Sequence, residues 1–148
     1  MKHTWRPAVG PGAWRDVETL HYREAGSAVF KGITRKVLFD HPSLAGQLRY
    51  FEVEAGGYST LEHHHHLHAV LVLRGRGRCL VGDELFELGP HDLVMVPSMA
   101  WHQFQAAPDE PLGFLCLVNT ERDRPILPTQ SDLAGLRRDG RIGAFIRV

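Results

Sequence analysis

The sequence predicts an all-β domain, and three observations support this fold class. Glycine and proline account for 15 and 9 of the 148 residues and separate short apolar runs along the chain. These runs have the length of β-strands, and no long stretch shows the 3.6-residue periodicity of an amphipathic helix. Many short strands separated by turns are typical of a β-sandwich or a small β-barrel.

Eight strands are predicted between an irregular N-terminal arm, residues 1–28, and a C-terminal extension, residues 119–148. The arm contains three aromatic residues, Trp5, Trp14 and Tyr22, which we expect to pack across a barrel end or a partner subunit. The barrel domain is predicted to cover residues 29–118. Its strands are expected at Phe30–Leu38, Leu48–Glu54, Ala69–Arg74, Arg78–Val81, Leu85–Leu88, Leu93–Val96, His102–Gln105 and Phe114–Val118.

Turns and a short helix complete the predicted elements. The segments Gly75-Arg76-Gly77 and Gly82-Asp83 contain glycines, which adopt positive φ at little cost. In the C-terminal extension, Ser131 is predicted to cap a short helix that ends at Arg138. The last apolar run, Ile142–Val148, is expected to pack on the barrel or to cross to a partner subunit.

The composition excludes several classes of protein. Lys plus Arg and Asp plus Glu total 17 each, so the net charge is zero and no basic block is present to bind nucleic acid. The apolar runs are much shorter than the roughly 20 residues of a membrane helix. Two cysteines are too few for a disulfide scaffold, and no signal-like apolar stretch follows the N-terminus. We therefore expect a soluble protein of the reducing cytoplasm.

Histidine is the residue in clear excess, with ten copies, and five of them lie between His63 and His68. Because this run lies in mid-chain and leads directly into a predicted strand, we interpret it as part of the fold rather than as the remnant of a purification tag. A solvated loop without a specific role is the simplest alternative, since histidine is tolerated at surfaces.

The spacing within this run favours a metal site. In an extended segment Glu62, His64, His66 and His68 have the same parity, so they point to one face. Imidazoles and a carboxylate are suitable ligands for Fe, Mn, Ni or Zn. His102, at the start of a distant predicted strand, offers one more donor.

These residues resemble the two metal-binding motifs of the cupin superfamily. The positions of the first motif fall on Gly56, Glu62, His64, His68 and Gly75. Those of the second motif, Pro-x-Gly-x-x-His, fall on Pro97, Met99 and His102. Glu62 occupies the usual position of a histidine and His68 that of the glutamate. The family's set of three histidines and one carboxylate is therefore kept, with two members exchanged.

The resemblance implies a cupin barrel, which is a jelly-roll-like double-stranded β-helix, with a divalent metal ion inside. Glu62, His64, His68 and His102 are the implied ligands, and His66 either replaces Glu62 or supports the other ligands from outside. Glu62 is also the candidate catalytic base. The aromatic residues predicted to line a substrate pocket are Tyr58, Trp101, Phe104 and Phe114.

Three functions are compatible with this site. Small cupins similar to this chain include dioxygenases acting on enolic or phenolic molecules, and such an enzyme is the leading hypothesis. The first alternative is a metal-dependent isomerase or lyase acting on a sugar or keto acid. The second is a non-enzymatic module that binds a small molecule or a metal, and a cupin without a metal is a further alternative. Since cupin barrels commonly pair, the resemblance also implies a homodimer.

Overall fold

The computed structural model describes residues 4–23 and 28–148, which form a curled antiparallel sheet with two short helices at its C-terminal end. Among these residues, no helix is long and apolar enough to cross a membrane. The strands are β1 (Ala8–Gly10), β2 (Ala13–Trp14), β3 (Leu20–His21), β4 (Lys31–Phe39), β5 (Gly46–Tyr58), β6 (His68–Gly75), β7 (Gly77–Val81), β8 (Glu84–Leu88), β9 (Leu93–Val96), β10 (His102–Ala106) and β11 (Leu112–Asn119). The helices are α1 (Gln130–Leu136) and α2 (Gly140–Phe145).

The long strand β5, with 13 residues, organises the sheet. It pairs with β11 along most of its length, with β4 on its other side and with β10 at Tyr58. The order β8-β7-β10-β5-β11-β6-β9 then surrounds the interior, with β4 and β3 added next to β5. This arrangement confirms the predicted all-β cupin barrel.

The apolar side chains form two clusters, one inside the barrel and one outside it. The inner cluster contains Phe51, Phe104 and Phe114, and the ring centroids of Phe104 and Phe114 are 4.8 Å apart. The outer cluster joins the helices to the sheet and consists of Leu61, Leu80, Leu133, Ile142, Phe145 and Ile146. In β7 the neighbouring residues Cys79 and Leu80 therefore pack on opposite faces, Cys79 in the inner and Leu80 in the outer cluster.

The C-terminal extension differs from its prediction in two respects. The N-cap of α1 is Thr129 rather than Ser131, because the Thr129 hydroxyl accepts from the Asp132 amide while the Asp132 carboxylate accepts from the Thr129 amide. The last apolar run, expected to pack on the barrel or to cross to a partner subunit, begins within a second helix, α2, that the sequence did not predict. Its residues Ile142 and Phe145 are both 3% exposed and pack within their own chain. The homodimer thus stays a prediction that this run does not support.

The N-terminal arm contains three short strands that the sequence did not predict, and one of them, β3, pairs with the barrel sheet. β1 pairs with β2, and β3 pairs with β4. Trp14 makes an edge contact with Tyr50 at 5.3 Å, and Tyr22 makes one with Phe51 at 5.9 Å. Trp5, in contrast, is 73% exposed. Two of the three aromatic residues therefore attach the arm to its own barrel.

Gly75 is the last residue of β6, and we expect Gly75→Ala to destabilise the fold strongly. Its φ is +74°, and an added Cβ would overlap the Pro111 carbonyl oxygen at the start of β11. Left-handed strain and a backbone clash together should lower the free energy of unfolding by about 3 kcal/mol. Urea denaturation measures this change. Gly82→Ala is the matched control, since Gly82 has a φ of +65° but nothing within 4 Å of an added Cβ. Equal losses in both variants would contradict the clash.

Candidate metal centre

The predicted ligands come together at one end of the barrel interior. His68 is the first residue of β6 and His102 the first residue of β10, while Glu62 and His64 lie in the loop between β5 and β6. This loop is fixed to β10 by two backbone hydrogen bonds, from the Glu62 amide to the His102 carbonyl (3.2 Å) and from the His102 amide to the Glu62 carbonyl (3.0 Å). The two separated motifs therefore face each other.

Three histidines form a cluster with converging nitrogen atoms. One ring nitrogen from each of His64, His68 and His102 lies within 4.8 Å of the other two. His64 is 1% and His102 is 3% exposed, whereas His68 is half-buried. Among the residues that the structure describes, these three histidines are the cluster of His, Cys, Asp or Glu side chains whose ligand atoms lie close enough together to hold a metal ion.

The hydrogen bonds of two of these rings leave the Nε2 atoms available. His64 Nδ1 lies 2.7 Å from the His66 carbonyl oxygen, and His102 Nδ1 lies 3.0 Å from the Ala100 carbonyl oxygen. Because a carbonyl only accepts, each Nδ1 carries the proton and each Nε2 keeps a free lone pair. His64 Nε2 is buried and has no partner among the described residues. A metal ligand is expected to have such a buried ring nitrogen without a hydrogen-bond partner, on an imidazole whose other nitrogen donates to a backbone carbonyl.

Burial also keeps the three imidazoles neutral. Desolvation, assisted by the neighbouring imidazole of His66, lowers the pKa of His64 to about 4. Desolvation likewise lowers the pKa of His102 to about 3, and together with the charge of His102 it lowers the pKa of His68. Since only a neutral imidazole binds a metal, these rings require no proton loss near neutral pH.

Glu62 lies directly beside this cluster and is 4% exposed. Its Oε1 lies 3.9 Å from His102 Nε2, and its Oε2 forms an ion pair with Arg23. Burial raises the pKa of Glu62 to about 7, because desolvation outweighs the opposing charges of Arg23 and Arg49. The carboxylate therefore reaches the same space as the imidazoles, with one of its oxygen atoms held by Arg23.

His66 stands at the edge of the cluster and is held by Asp123, a residue that sequence reasoning missed. The His66 ring stacks on His64 at 3.6 Å, and its Nε2 lies 3.3 Å from that of His68. Asp123 Oδ1 lies 2.8 Å from His66 Nδ1, and its carboxylate accepts the backbone amides of both His65 and His66. No motif marks Asp123, because only the fold brings the segment after β11 next to this loop.

We expect Asp123→Asn to weaken metal binding by about tenfold, because the loop that carries the histidines loses an acceptor that holds it. Competition with a chromogenic chelator measures the affinity. Asp132→Asn is the matched control, since this carboxylate caps α1 and does not contact the histidines. An Asp123 variant with the affinity of the unsubstituted protein would contradict this role.

The aromatic residues predicted for the substrate pocket occupy different places. Phe104 and Phe114 line a small cavity of about 30 Å³ that also contacts the candidate metal ligands. Trp101 stacks on His63 at 4.0 Å and packs against the outer cluster. Tyr58 lies at the end of β5. Within the described chain, Trp101 and Tyr58 do not line this cavity or the adjoining cleft, so their proposed role in the pocket stays a prediction.

The adjoining cleft has a volume of about 200 Å³, and most of the residues that line it are charged residues or histidines. Its lining includes His64, His66 and His68. Sequence reasoning missed the basic residues of this cleft, because they come from the N-terminal arm, β4, β5 and the segment after β11. They are Arg23, Arg35, Arg49 and Arg122.

The barrel and its histidines match a known family. Residues 49–118 match the family model described as a cupin domain, Cupin_2. The chain belongs to the cupin superfamily, which confirms the resemblance of its motifs. It is 52% identical over 142 residues to the 1-methylthio-D-xylulose 5-phosphate methylsulfurylase of Rhodospirillum rubrum, and the match covers 96% of this chain and 91% of that protein.

Two solved structures show the same fold at similar identity. A cupin 2 conserved barrel domain protein from Rhodopseudomonas palustris is 50% identical with a TM-score of 0.94, covering 98% of this chain and 100% of that one. A cupin-2 domain protein from Rhodospirillum rubrum is also 50% identical with a TM-score of 0.86, covering 97% of this chain and 96% of that one.

Proposed function

We propose that this protein is a metal-dependent enzyme that removes the methylthio group from a methylthio-substituted keto-pentose phosphate. The observation that carries this proposal is a cleft in which two of the three converging imidazoles, His64 and His68, lie beside a group of arginines. The methylsulfurylase of Rhodospirillum rubrum, 52% identical over most of both chains, supports the substrate class. The proposal belongs with the lyase alternative, in which a metal polarises a sugar. The dioxygenase hypothesis stays a prediction without support from this relative.

His64, His68 and His102 are the proposed ligands of the metal ion in this enzyme, and Glu62 stands beside them. Their converging ring nitrogens and neutral state suit Fe, Mn, Ni or Zn alike. When bound, the ion would act as a Lewis acid and polarise the ketone of the sugar, whose neighbouring carbon bears the sulfur.

The remaining steps fall to the chain's own side chains. Glu62 Oε1 faces His102 while its Oε2 is fixed by Arg23, so the carboxylate has one orientation toward the cleft. We assign to Oε1 the delivery of a proton to the carbon that loses the methylthio group, which lies next to the ketone. Phe104 and Phe114 form the apolar wall behind Glu62, and they exclude water from this side of the reacting carbon.

The direct test is turnover of 1-methylthio-D-xylulose 5-phosphate by protein purified without nickel resin and loaded in turn with Fe, Mn, Ni or Zn. A small thiol is included as the acceptor and reductant. Its sulfur bonds to the methylthio sulfur to form a methyl disulfide, the C–S bond of the sugar breaks, and the carbon keeps the electron pair and takes up a proton in place of the one that the thiol releases. Proton NMR should show loss of the S-methyl signal from the sugar, and a chelator should stop it. Oxygen uptake with enolic or phenolic molecules, without any change in the sugar, would reject this function in favour of the dioxygenase.

A further inference from the structure

We propose that Arg35, Arg49 and Arg122 form the phosphate-binding site of this enzyme, in the same cleft as the histidines. The inference rests on the proposed function and assigns the phosphate end of its substrate to named side chains. The three residues come from β4, β5 and the segment after β11, and all three line the cleft.

Arg49 is a buried cation that has no carboxylate at ion-pair distance in the described chain, although its charge acts on Glu62. It is 7% exposed, and among residues 4–23 and 28–148 no ion pair includes it. Its Nη2 donates to Cys116 Sγ at 3.6 Å, a weak acceptor, and its Nε is buried with no partner. The guanidinium carbon lies over Phe51, 5.0 Å from the ring centroid. Buried charges are normally paired, so this geometry favours an anionic ligand.

Arg35 and Arg122 add two more cations at the same place. The Nε of Arg35 is also buried without a partner in the described chain. Arg122 is positioned by neutral acceptors, since its Nη1 donates to the Asn119 carbonyl (3.0 Å) and its Nη2 to Gln47 Oε1 (3.3 Å). Burial and then the charge of Arg49 lower the pKa of both Arg35 and Arg122. The fold thus holds the positive charges of these arginines close together, and an anion bound between them would stabilise this arrangement.

The carboxylates of the cleft are already engaged. Glu62 pairs with Arg23, and Asp123 accepts the amides of His65 and His66. The cleft lining contains four arginines against these two carboxylates, which leaves two positive charges. This excess matches a phosphate monoester dianion, and the planar fork of arginine binds phosphate oxygens in pairs.

The position of these arginines also fits the proposed substrate. The cleft of about 200 Å³ is lined both by this arginine group and by His64 and His68. A small ligand with a phosphate at one end and a ketone at the other would therefore place the ketone at the candidate metal centre. The arginines are positioning residues in this scheme, since they do not contact the reacting carbon.

The first experiment is calorimetric titration of inorganic phosphate into the metal-loaded protein. Phosphate should bind, and Arg35→Gln and Arg122→Gln should each weaken its binding by about tenfold. Arg76→Gln is the control, because Arg76 has a side chain that is 76% exposed and pairs with Glu110. Equal affinities in all four proteins would overturn the inference. The same holds if a chelator abolishes binding while the arginine substitutions have no effect, because phosphate would then bind the metal.

The second experiment separates phosphate recognition from a general structural role. For Arg122→Gln, the KM of the phosphorylated sugar should rise about tenfold, while kcat/KM for the unphosphorylated sugar should stay unchanged. Equal losses with both sugars would overturn the assignment. Arg122 is exposed, so its variant tests the site even where a change at the more buried Arg35 prevents folding. Phosphate binding needs no turnover, so binding without turnover rejects the proposed function alone, and turnover without arginine-dependent phosphate binding rejects this inference alone.

Discussion

His102→Ala is expected to abolish both metal binding and turnover. His102 is 3% exposed at the start of β10, and the Ala100 carbonyl orients its ring so that Nε2 faces the other two imidazoles. Loss of a residue that only supports a ligand typically costs about 10- to 100-fold in metal affinity. Loss of the ligand itself should therefore cost more than about 100-fold. Elemental analysis after gel filtration measures the metal content, and the assay with the methylthio sugar measures the activity.

The control for this variant is His65→Ala. His65 belongs to the same histidine run, but it is exposed, and its backbone amide, which contacts Asp123, survives the substitution. The His65 variant should keep its metal and its turnover. A His102 variant that retains one tightly bound ion and normal activity would remove His102 from the site. Equal metal loss in both variants would indicate binding by the exposed part of the run.

Glu62→Gln is expected to lower kcat by about 100- to 10,000-fold, the range for loss of a general acid or base. Glutamine has nearly the same shape, and its amide oxygen can still accept from Arg23, but it cannot take up a proton. The metal content should remain that of the unsubstituted protein, which distinguishes this variant from the histidine variant.

Glu52→Gln is the matched control for this substitution. Glu52 lies on β5 and pairs with Arg74 at 3.7 Å, outside the cleft. Its variant should retain full turnover. An active Glu62→Gln protein would contradict the proton transfer assigned to Oε1, and loss of the ion from Glu62→Gln would instead make Glu62 a metal ligand.

The strands of the barrel could be predicted from local patterns, because each has apolar residues bounded by turn residues. β9 has the predicted bounds, Leu93–Val96. β5 extends four residues beyond its predicted end to Tyr58, since Ala55, Gly56 and Gly57 interrupt the apolar pattern but the strand pairs again at Tyr58. The strands of the N-terminal arm have only two or three residues, which is too short for any periodicity.

The histidines of the site could be predicted, whereas its charged partners could not. His64, His68 and His102 follow the spacing of two motifs, so sequence separation alone selected them. Arg49 sits within the apolar pattern of β5, and Asp123 lies in an irregular charged segment. Their roles arise from contacts between residues far apart in the chain, which no local pattern records.

The central claim, a metal centre built by three histidines, is tested most directly by anomalous diffraction from crystals of the protein loaded with Mn or Zn, purified without nickel resin. We expect one anomalous peak per chain, from an ion bound by His64, His68 and His102 that has a coordination position open to the cleft. An ion bound only by His63 or His65, or no peak at the three converging histidines, would contradict this account.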